Sequence, residues 1–140
     1  MTLTALDIIL SGVFLFLVAI ETLADHQQQA FQHRKHSEKV VEGDREVQDG
    51  FVQTGLWAYC RHPNFLCEIL IWWVFAMVPL SRVGCGWSVV GAVCLTGLFT
   101  GSQDLTEQIS ASKYPEYRRY QERVPAYIPS VRMMTIKRRD

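Results

Sequence analysis

Three uncharged, strongly apolar segments divide the chain and predict its helices. Val83–Gln103 contains no charged residue, and its 21 positions, at about 1.5 Å each along a helix, can cross a hydrocarbon core of about 30 Å. Ile8–Ile20 and Ile69–Ser81 are equally apolar but short for a span unless their polar neighbours lie in the membrane interface. A soluble protein is the alternative, but three such segments leave too little polar surface to cover them. The pattern predicts an all-α integral membrane protein with about three transmembrane helices.

The basic residues are distributed unevenly around these segments. Five of the 14 lie in the loop Ala24–His62, eight lie in the tail Asp104–Asp140, and Arg82 alone lies between the second and third segments. Three spans in order put the loop and the tail on the same face, which the positive-inside tendency assigns to the cytoplasm. We therefore expect a single membrane domain over residues 1–140, with a cytoplasmic loop and tail and its N-terminus on the other side.

The first segment differs from a signal peptide, because no Lys or Arg precedes Arg34 and no small-residue cleavage pattern follows Ile20. The residues after Ile20 contain no Gly or Pro up to position 32, so the first helix is predicted to continue past the membrane. Ser37–Gly50, which is rich in charge and has two glycines, predicts an exposed loop. Pro115–Arg123 predicts a short amphipathic helix.

Composition and spacing exclude several classes of protein. The 14 basic and 14 acidic residues leave no net charge, so nothing favours nucleic acid. The four cysteines have no C-x-x-C spacing, so neither a disulfide scaffold nor a zinc site is expected. Four histidines are too few for a membrane di-iron oxygenase, and the absence of G-x-G-x-x-G excludes a Rossmann domain. No metal site is predicted. Gly97 and Gly101 form a G-x-x-x-G, which is typical of close helix packing.

The stretch that leads into the second apolar segment carries the most chemistry. Arg61 and His62 stand at the predicted cytoplasmic mouth of a span, and Asn64 and Glu68 follow as an i, i+4 pair. Donors at a helix start suit phosphate, which a guanidinium can grip through two parallel bonds. Alternatively, Arg61 is a positive-inside anchor and Pro63 a helix start. That alternative leaves Glu68 unexplained, because a carboxylate at the membrane edge is costly unless it faces a polar cavity or partner.

Three motifs in the chain are each similar to a known pattern. The first is Glu21-Thr-Leu-Ala-Asp-His-Gln followed by Phe31, and the second is Gly55-Leu-Trp with Arg61-His-Pro-Asn-Phe and Glu68. The third is Lys113-Tyr-Pro-Glu-Tyr-Arg-Arg-Tyr-Gln with Val-Pro-Ala-Tyr-Ile-Pro129. Together they cover residues 21–129, about three quarters of the chain. In this order they resemble the C-terminal, cofactor-binding half of the steroid 5-alpha-reductase-like membrane proteins, in a poorly characterised branch.

The resemblance implies a helical membrane fold that binds NADPH from the cytoplasmic side. The implied reaction reduces a carbon–carbon double bond conjugated to a carbonyl, in a lipid or steroid-like enone. By position, Glu68 would be the catalytic residue near the nicotinamide, and Tyr114 and Tyr120 are weaker carry-overs. The implied cofactor-binding residues are Asp25, Arg61, His62, Asn64 and Tyr117.

Two departures from the family pattern bear on this expectation. Phe65 and Cys67 stand where relatives often carry a tyrosine and a glycine. Family enzymes also have further spans upstream of the first motif, and these supply much of the substrate pocket and the catalytic acid. The sequence is therefore interpreted as a truncated or partial chain, or as a subunit whose partner chain supplies the missing spans.

Two alternative functions stay open. The same superfamily contains membrane methyltransferases that use Arg-His-Pro and a later glutamate to hold S-adenosylmethionine, and the cofactor that protects the protein against heat distinguishes them from reductases. The other alternative is a non-catalytic membrane scaffold. The final Lys137-Arg-Arg-Asp loosely resembles a dibasic retrieval signal, which predicts the endoplasmic reticulum membrane if the protein is eukaryotic.

Overall fold

The structure, a computed structural model, describes residues 3–37, 43–84 and 86–128, and every regular element in these ranges is helical. This confirms the all-α prediction for the described part of the chain. The elements, in chain order, are helices α1 (Ala5–Lys35) and α2 (Arg45–Asp49), a 3-10 helix (Gly55–Ala58), and helices α3 (Pro63–Val83), α4 (Trp87–Lys113) and α5 (Tyr117–Arg123).

Helices α1 and α3 are the two described helices that are long and apolar enough to cross a membrane by length and composition. Helix α1 runs well past the apolar segment, as predicted. Its start is defined by Thr4 and Asp7, because the Asp7 carboxylate accepts hydrogen bonds from the backbone N–H and hydroxyl of Thr4 at 2.7 and 2.8 Å. Only 6% of the most apolar window of α1 and 17% of that of α3 is buried among the described residues.

The third apolar segment forms a helix with different bounds from those predicted. Gly84, with a φ of 65°, follows the end of α3, and α4 starts at Trp87 rather than at Val83. The uncharged part of α4, Trp87–Gln103, is 17 residues long, or about 25 Å, before the helix continues into the charged tail. That length is short of a hydrocarbon core, so a third span remains a prediction.

The interpretation of Ser37–Gly50 as an exposed loop was wrong for its second half. Asp44 begins α2 by accepting a hydrogen bond from the Val47 N–H at 3.3 Å, and Gly50 ends it in the left-handed conformation at a φ of 87°. Glu46 is buried within α2. Residues 38–42, in the first half of the predicted loop, lie outside the described residues, as do the retrieval-like C-terminal residues. In the tail, α5 starts at Tyr117, two residues later than predicted.

Contacts group the chain into two units, of which the first comprises Met1–Leu23 and Asn64–Asp104. In this unit α3 and α4 approach closely through two buried alanines, Ala76 and Ala92, and Ser88 donates a hydrogen bond to the Ala76 carbonyl at 3.0 Å. Trp73 Nε1 donates to Thr96 Oγ1 at 3.1 Å. Alanines, rather than the G-x-x-x-G glycines, line this contact. A Cβ added at either of those glycines would meet nothing within 4 Å.

The second unit comprises Ala24–Pro63 and Leu105–Asp140 and is built around aromatic side chains. One buried cluster contains Phe51, Tyr117, Tyr120 and Val124, and the other contains Phe31, Val52 and Trp57. The two clusters are joined by polar atoms of the aromatic residues. Tyr120 donates its hydroxyl hydrogen to the Trp57 carbonyl at 2.6 Å, and Trp57 Nε1 donates to the Ala24 carbonyl at 3.2 Å. The tail is thereby attached to the loop within one unit.

Gly50 provides a test of this second unit. A Cβ at Gly50 would collide with the Tyr114 ring, which Lys35 holds by donating to the Tyr114 hydroxyl at 2.8 Å and to the Gly50 carbonyl at 2.6 Å. Gly43 also has a positive φ, 103°, but a Cβ there meets nothing within 4 Å. We expect Gly50→Ala to lower the free energy of unfolding by about 2–4 kcal/mol, from backbone strain plus overpacking. Gly43→Ala, the matched control, should lower the free energy of unfolding by only about 1–2 kcal/mol, because it introduces backbone strain but no collision. If thermal unfolding shows the same loss of stability in both variants, the packing of Tyr114 against Gly50 is contradicted.

Candidate functional site

The Arg61–His62 dipeptide is held in place by its backbone directly before α3. The Arg61 N–H donates to the Pro125 carbonyl at 2.9 Å, and the His62 N–H donates to the Ala126 carbonyl at 3.2 Å. Two adjacent bonds of this kind pair the dipeptide with the segment that follows α5. The chain thus enters α3 at Pro63, a natural first helical position, with its two basic side chains already oriented.

Both side chains of this dipeptide converge on Glu107 of α4. The Glu107 carboxylate accepts two bonds from the Arg61 guanidinium, from Nε at 2.8 Å and from one terminal nitrogen at 3.0 Å. His62 Nε2 lies 2.9 Å from one oxygen, and Gln121 Nε2 donates to the other at 2.7 Å. Glu107 and His62 are buried, and the Arg61 side chain is 11% exposed. We call Arg61, His62, Glu107 and Gln121 the Glu107 cluster.

Arg61 has little hydrogen-bonding capacity left in this arrangement. Its second terminal nitrogen donates to the carbonyls of Gln121 and Val124 at 2.9 and 2.5 Å. A guanidinium carries five N–H groups, and these bonds with those to Glu107 use four of them. The pair of parallel donors that could grip a phosphate is therefore taken by Glu107, and one N–H remains for another acceptor.

The electrostatics of the cluster favour an ionised Glu107 and a neutral His62. Burial alone would raise the pKa of Glu107, but the hydrogen bonds from Arg61, Gln121 and His62 outweigh it and hold the pKa below the ordinary value. Burial lowers the pKa of His62, against the opposing effect of Glu107. Because an ionised carboxylate only accepts, His62 Nε2 must carry the hydrogen that faces Glu107. The imidazole is thereby fixed in one tautomer and one orientation.

Two tyrosines of the family-like tail motif lie in the aromatic core of the same unit. Tyr117 packs edge-on against Phe51, with ring centroids 5.0 Å apart. Burial raises the pKa of Tyr117 to about 12, and it also raises that of Tyr120. Both are therefore neutral phenols at physiological pH. The predicted cofactor residue Tyr117 is a core side chain here, so its ring is not free to stack on a ligand.

The remaining predicted site residues have surroundings of a different kind. Asp25 is exposed on α1. Asn64 lies in the first turn of α3, where its side-chain oxygen accepts a hydrogen bond from the Phe65 N–H at 3.0 Å. One turn later, Glu68 accepts a hydrogen bond from Trp72 Nε1 at 2.9 Å. Among the described residues no group of three His, Cys, Asp or Glu side chains is arranged to hold a metal ion.

Glu107 is the residue that sequence reasoning missed. It lies in a polar stretch, 46 positions after Arg61. Nothing in the local sequence distinguishes it from the other carboxylates of the tail.

A family model described as "Protein of unknown function (DUF1295)" matches residues 1–124. The chain is also similar to "Uncharacterized protein C594.04c" of Schizosaccharomyces pombe, with 36% identity across 89% of the chain. The match covers 39% of that curated relative, so the chain spans about two fifths of its length. No solved structure matches the chain.

The Glu107 cluster predicts a large effect for a small substitution. Glu107→Gln keeps the shape but removes the charge, which leaves the Arg61 guanidinium buried without its counter-ion. We expect the free energy of unfolding to fall by about 3 kcal/mol, the lower end for a broken buried ion pair. The matched control is Glu122→Gln, which makes the same change at an exposed carboxylate of α5 and should change the free energy of unfolding by less than about 0.5 kcal/mol. Similar thermal unfolding of the two variants would show that the buried pair contributes no stability.

The lowered pKa of His62 predicts how the free energy of unfolding depends on pH. Its folded-state pKa lies below the unfolded value of 6.5, so the unfolded chain takes up a proton first as the pH falls. The stability that neutral His62 contributes to the folded state is fully present above pH 6.5 and is lost as the pH falls from 6.5 towards the folded-state pKa. The stability that ionised Glu107 contributes is lost only below pH 4.5, its unfolded-state pKa. Between these values, unfolding temperatures should fall for the wild type and for His33→Gln, an exposed control. His62→Gln, which can still donate to Glu107 but cannot titrate, should stay nearly flat there; a parallel fall would contradict the assignment.

Proposed function

Because the chain belongs to the DUF1295 family, which is related to the steroid 5-alpha-reductase-like proteins, we propose that it is an integral membrane oxidoreductase that uses NADPH. The proposed reaction reduces a carbon–carbon double bond conjugated to a carbonyl in a lipid or steroid-like enone. The curated relative is more than twice as long as this chain. The proposal therefore includes a partner chain, or further spans, that complete the substrate pocket.

The observation that carries the proposal is the start of α3. Arg61 and His62 precede it in a fixed orientation, and Asn64 and Glu68 follow one turn apart on the helix itself. This is the order of polar groups that the reductase-like motif requires. The dipole at the start of a 21-residue helix also favours an anionic ligand.

The residues fit NADPH in part. Asp25, Asn64 and Glu68 carry the acceptors and amide groups that suit ribose hydroxyls and a carboxamide, and one N–H of Arg61 remains for a phosphate oxygen. His62 and Tyr117 are engaged within their own unit, so we assign them the supporting role of holding Arg61 and the tail in place. NADPH, when bound, supplies the hydride. The chain's own contribution is to orient the cofactor, with Glu68 as the polar group at the reacting end.

A second function is favoured by one specific observation. Membrane methyltransferases of the same superfamily use Arg-His-Pro and a later glutamate to hold S-adenosylmethionine, and Glu107 is a later glutamate that contacts both Arg61 and His62. In this chain, however, Glu107 already has four hydrogen-bond donors around it. The Asn64 and Glu68 pair and the Glu21–Asp25 motif favour the reductase.

If the chain is eukaryotic, we propose that the protein lies in the endoplasmic reticulum membrane.

Cofactor choice separates these functions. We expect NADPH to raise the unfolding temperature of the detergent-solubilised protein more than NADH or S-adenosylmethionine does, because the motifs match the reductases. A ligand at a hundred times its dissociation constant adds about 2.7 kcal/mol to the stability of the folded state. A clear shift with S-adenosylmethionine and none with millimolar NADPH would reverse the ranking. No shift with any of the three would favour a scaffold.

Glu68 separates a catalytic role from a structural one. Glu68→Gln keeps an oxygen that can accept from Trp72 Nε1, so the fold should stay intact. We expect enone reduction by the full-length gene product, or by the chain with its partner, to fall by about 100-fold, the scale of losing one preorganised polar contact. Trp72→Phe is the control, because it removes the same hydrogen bond from the other side. A similar loss in both variants, or Glu68→Gln activity within about twofold of the wild type, would remove Glu68 from the site.

A further inference from the structure

An open apolar groove runs between α1 and α3 in the first unit. Its cavity has a volume of about 330 Å³. The walls are formed by Leu10, Ser11, Phe14 and Leu15 of α1 and by Val74, Phe75 and Val78 of α3. Apart from Ser11, every lining side chain is large and apolar. In a bilayer such a groove is open to the hydrocarbon region.

The groove ends in an ion pair. A second cavity of about 420 Å³ shares Ser11 and Val78 with the first, so the two adjoin. It extends to Asp7 and Arg82, whose side chains form a salt bridge across the two helices. From Val74 to Arg82 the wall of α3 measures about 12 Å along the helix axis. One end of the groove is therefore charged and the rest is apolar.

We propose that this groove binds one membrane phospholipid with a zwitterionic headgroup. The acyl chain would lie along the apolar section, and the headgroup would join the ion pair, its phosphate near Arg82 and its amine near Asp7. The Arg82 side chain is 30% exposed, so its guanidinium is accessible to a headgroup from outside. An ion pair offers one charge of each sign, which complements a zwitterion better than a purely anionic lipid.

Two further features favour a lipid over another helix. Trp87, at the start of α4 five residues after Arg82, is 81% exposed, and exposed tryptophan is typical of the headgroup level of a membrane. Helices pack closely in membranes through small residues, whereas the walls of this groove, apart from Ser11, are Leu, Phe and Val. The groove is suited to a flexible chain rather than to a helix about 10 Å across. This inference does not rest on the proposed reductase activity.

A filling substitution tests the acyl-chain section. The full chain is reconstituted with phosphatidylethanolamine, released from the bilayer, and weighed by native mass spectrometry. We expect one retained lipid per chain in the wild type and about tenfold less occupancy in Ser11→Phe, which fills both cavities. Val13→Phe is the matched control, since Val13 is an exposed residue of the same helix that does not line the groove. It should retain lipid like the wild type.

The charged end is tested by comparing lipids with and without a headgroup phosphate. The wild type should prefer phosphatidylethanolamine to a diacylglycerol with the same chains by about threefold to fivefold, the scale of a partly exposed ionic contact. Arg82→Gln should abolish the preference while leaving diacylglycerol binding unchanged, and Arg82→Lys should restore it. Loss of both lipids to the same degree in Arg82→Gln would overturn the headgroup assignment.

Three outcomes of the filling experiment would overturn the proposal. Ser11→Phe could retain lipid like the wild type, or both phenylalanine variants could lose it equally, which would indicate non-specific annular lipid. Ser11→Phe could also convert an oligomer to a monomer with lipid occupancy unchanged, which would assign the groove to a second copy of the chain. Loss of lipid in Ser11→Phe alone supports the proposal.

Discussion

The ion pair between Arg61 and Glu107 determines how the chain enters α3. It joins a residue of the loop to one in the tail, with His62 and Gln121 bound to the same carboxylate. Loop and tail are 46 positions apart at this contact, and the aromatic clusters, with the Tyr120–Trp57 hydrogen bond, add to the same attachment. Within this second unit, the attachment fixes the Arg61–His62 dipeptide and Pro63, the first residue of α3.

The helices could be predicted from hydropathy because an apolar segment of this length has few alternatives to a helix. Their ends were less predictable, since they depend on local chemistry. Thr4 and Asp7 define the start of α1, and Gly84, at a φ of 65°, follows the end of α3 at a position where the charge pattern predicted that the third helix had already begun. Helix α2 was missed because five residues carry too little periodicity, although Asp44 and Gly50 are the cap residues that a short helix needs.

The candidate site was predicted in part from its local sequence. Arg61 and His62 were singled out because they precede a proline at the start of an apolar segment, and in the structure they lie directly before α3. Their partner was not found, because a long-range ion pair leaves no mark on either sequence segment. Tyr117 was assigned to the cofactor from the family-like motif, but its helix presents it to Phe51 in the core. A motif identifies which residues matter, and only the fold shows which of them face a ligand.

The chemistry of Arg61 constrains what the site can do. A buried ion pair adds little net stability compared with apolar packing of the same volume, because both charges lose their hydration. Its value lies in geometry: four of the five N–H groups of Arg61 are directed at named oxygens, and His62 is held in one tautomer by the same carboxylate. The main role of Arg61 is thus to hold the polypeptide in place before α3 rather than to bind a phosphate through two parallel hydrogen bonds. The proposed contact with a cofactor therefore falls to the first turns of α3, where Asn64 and Glu68 lie one turn apart.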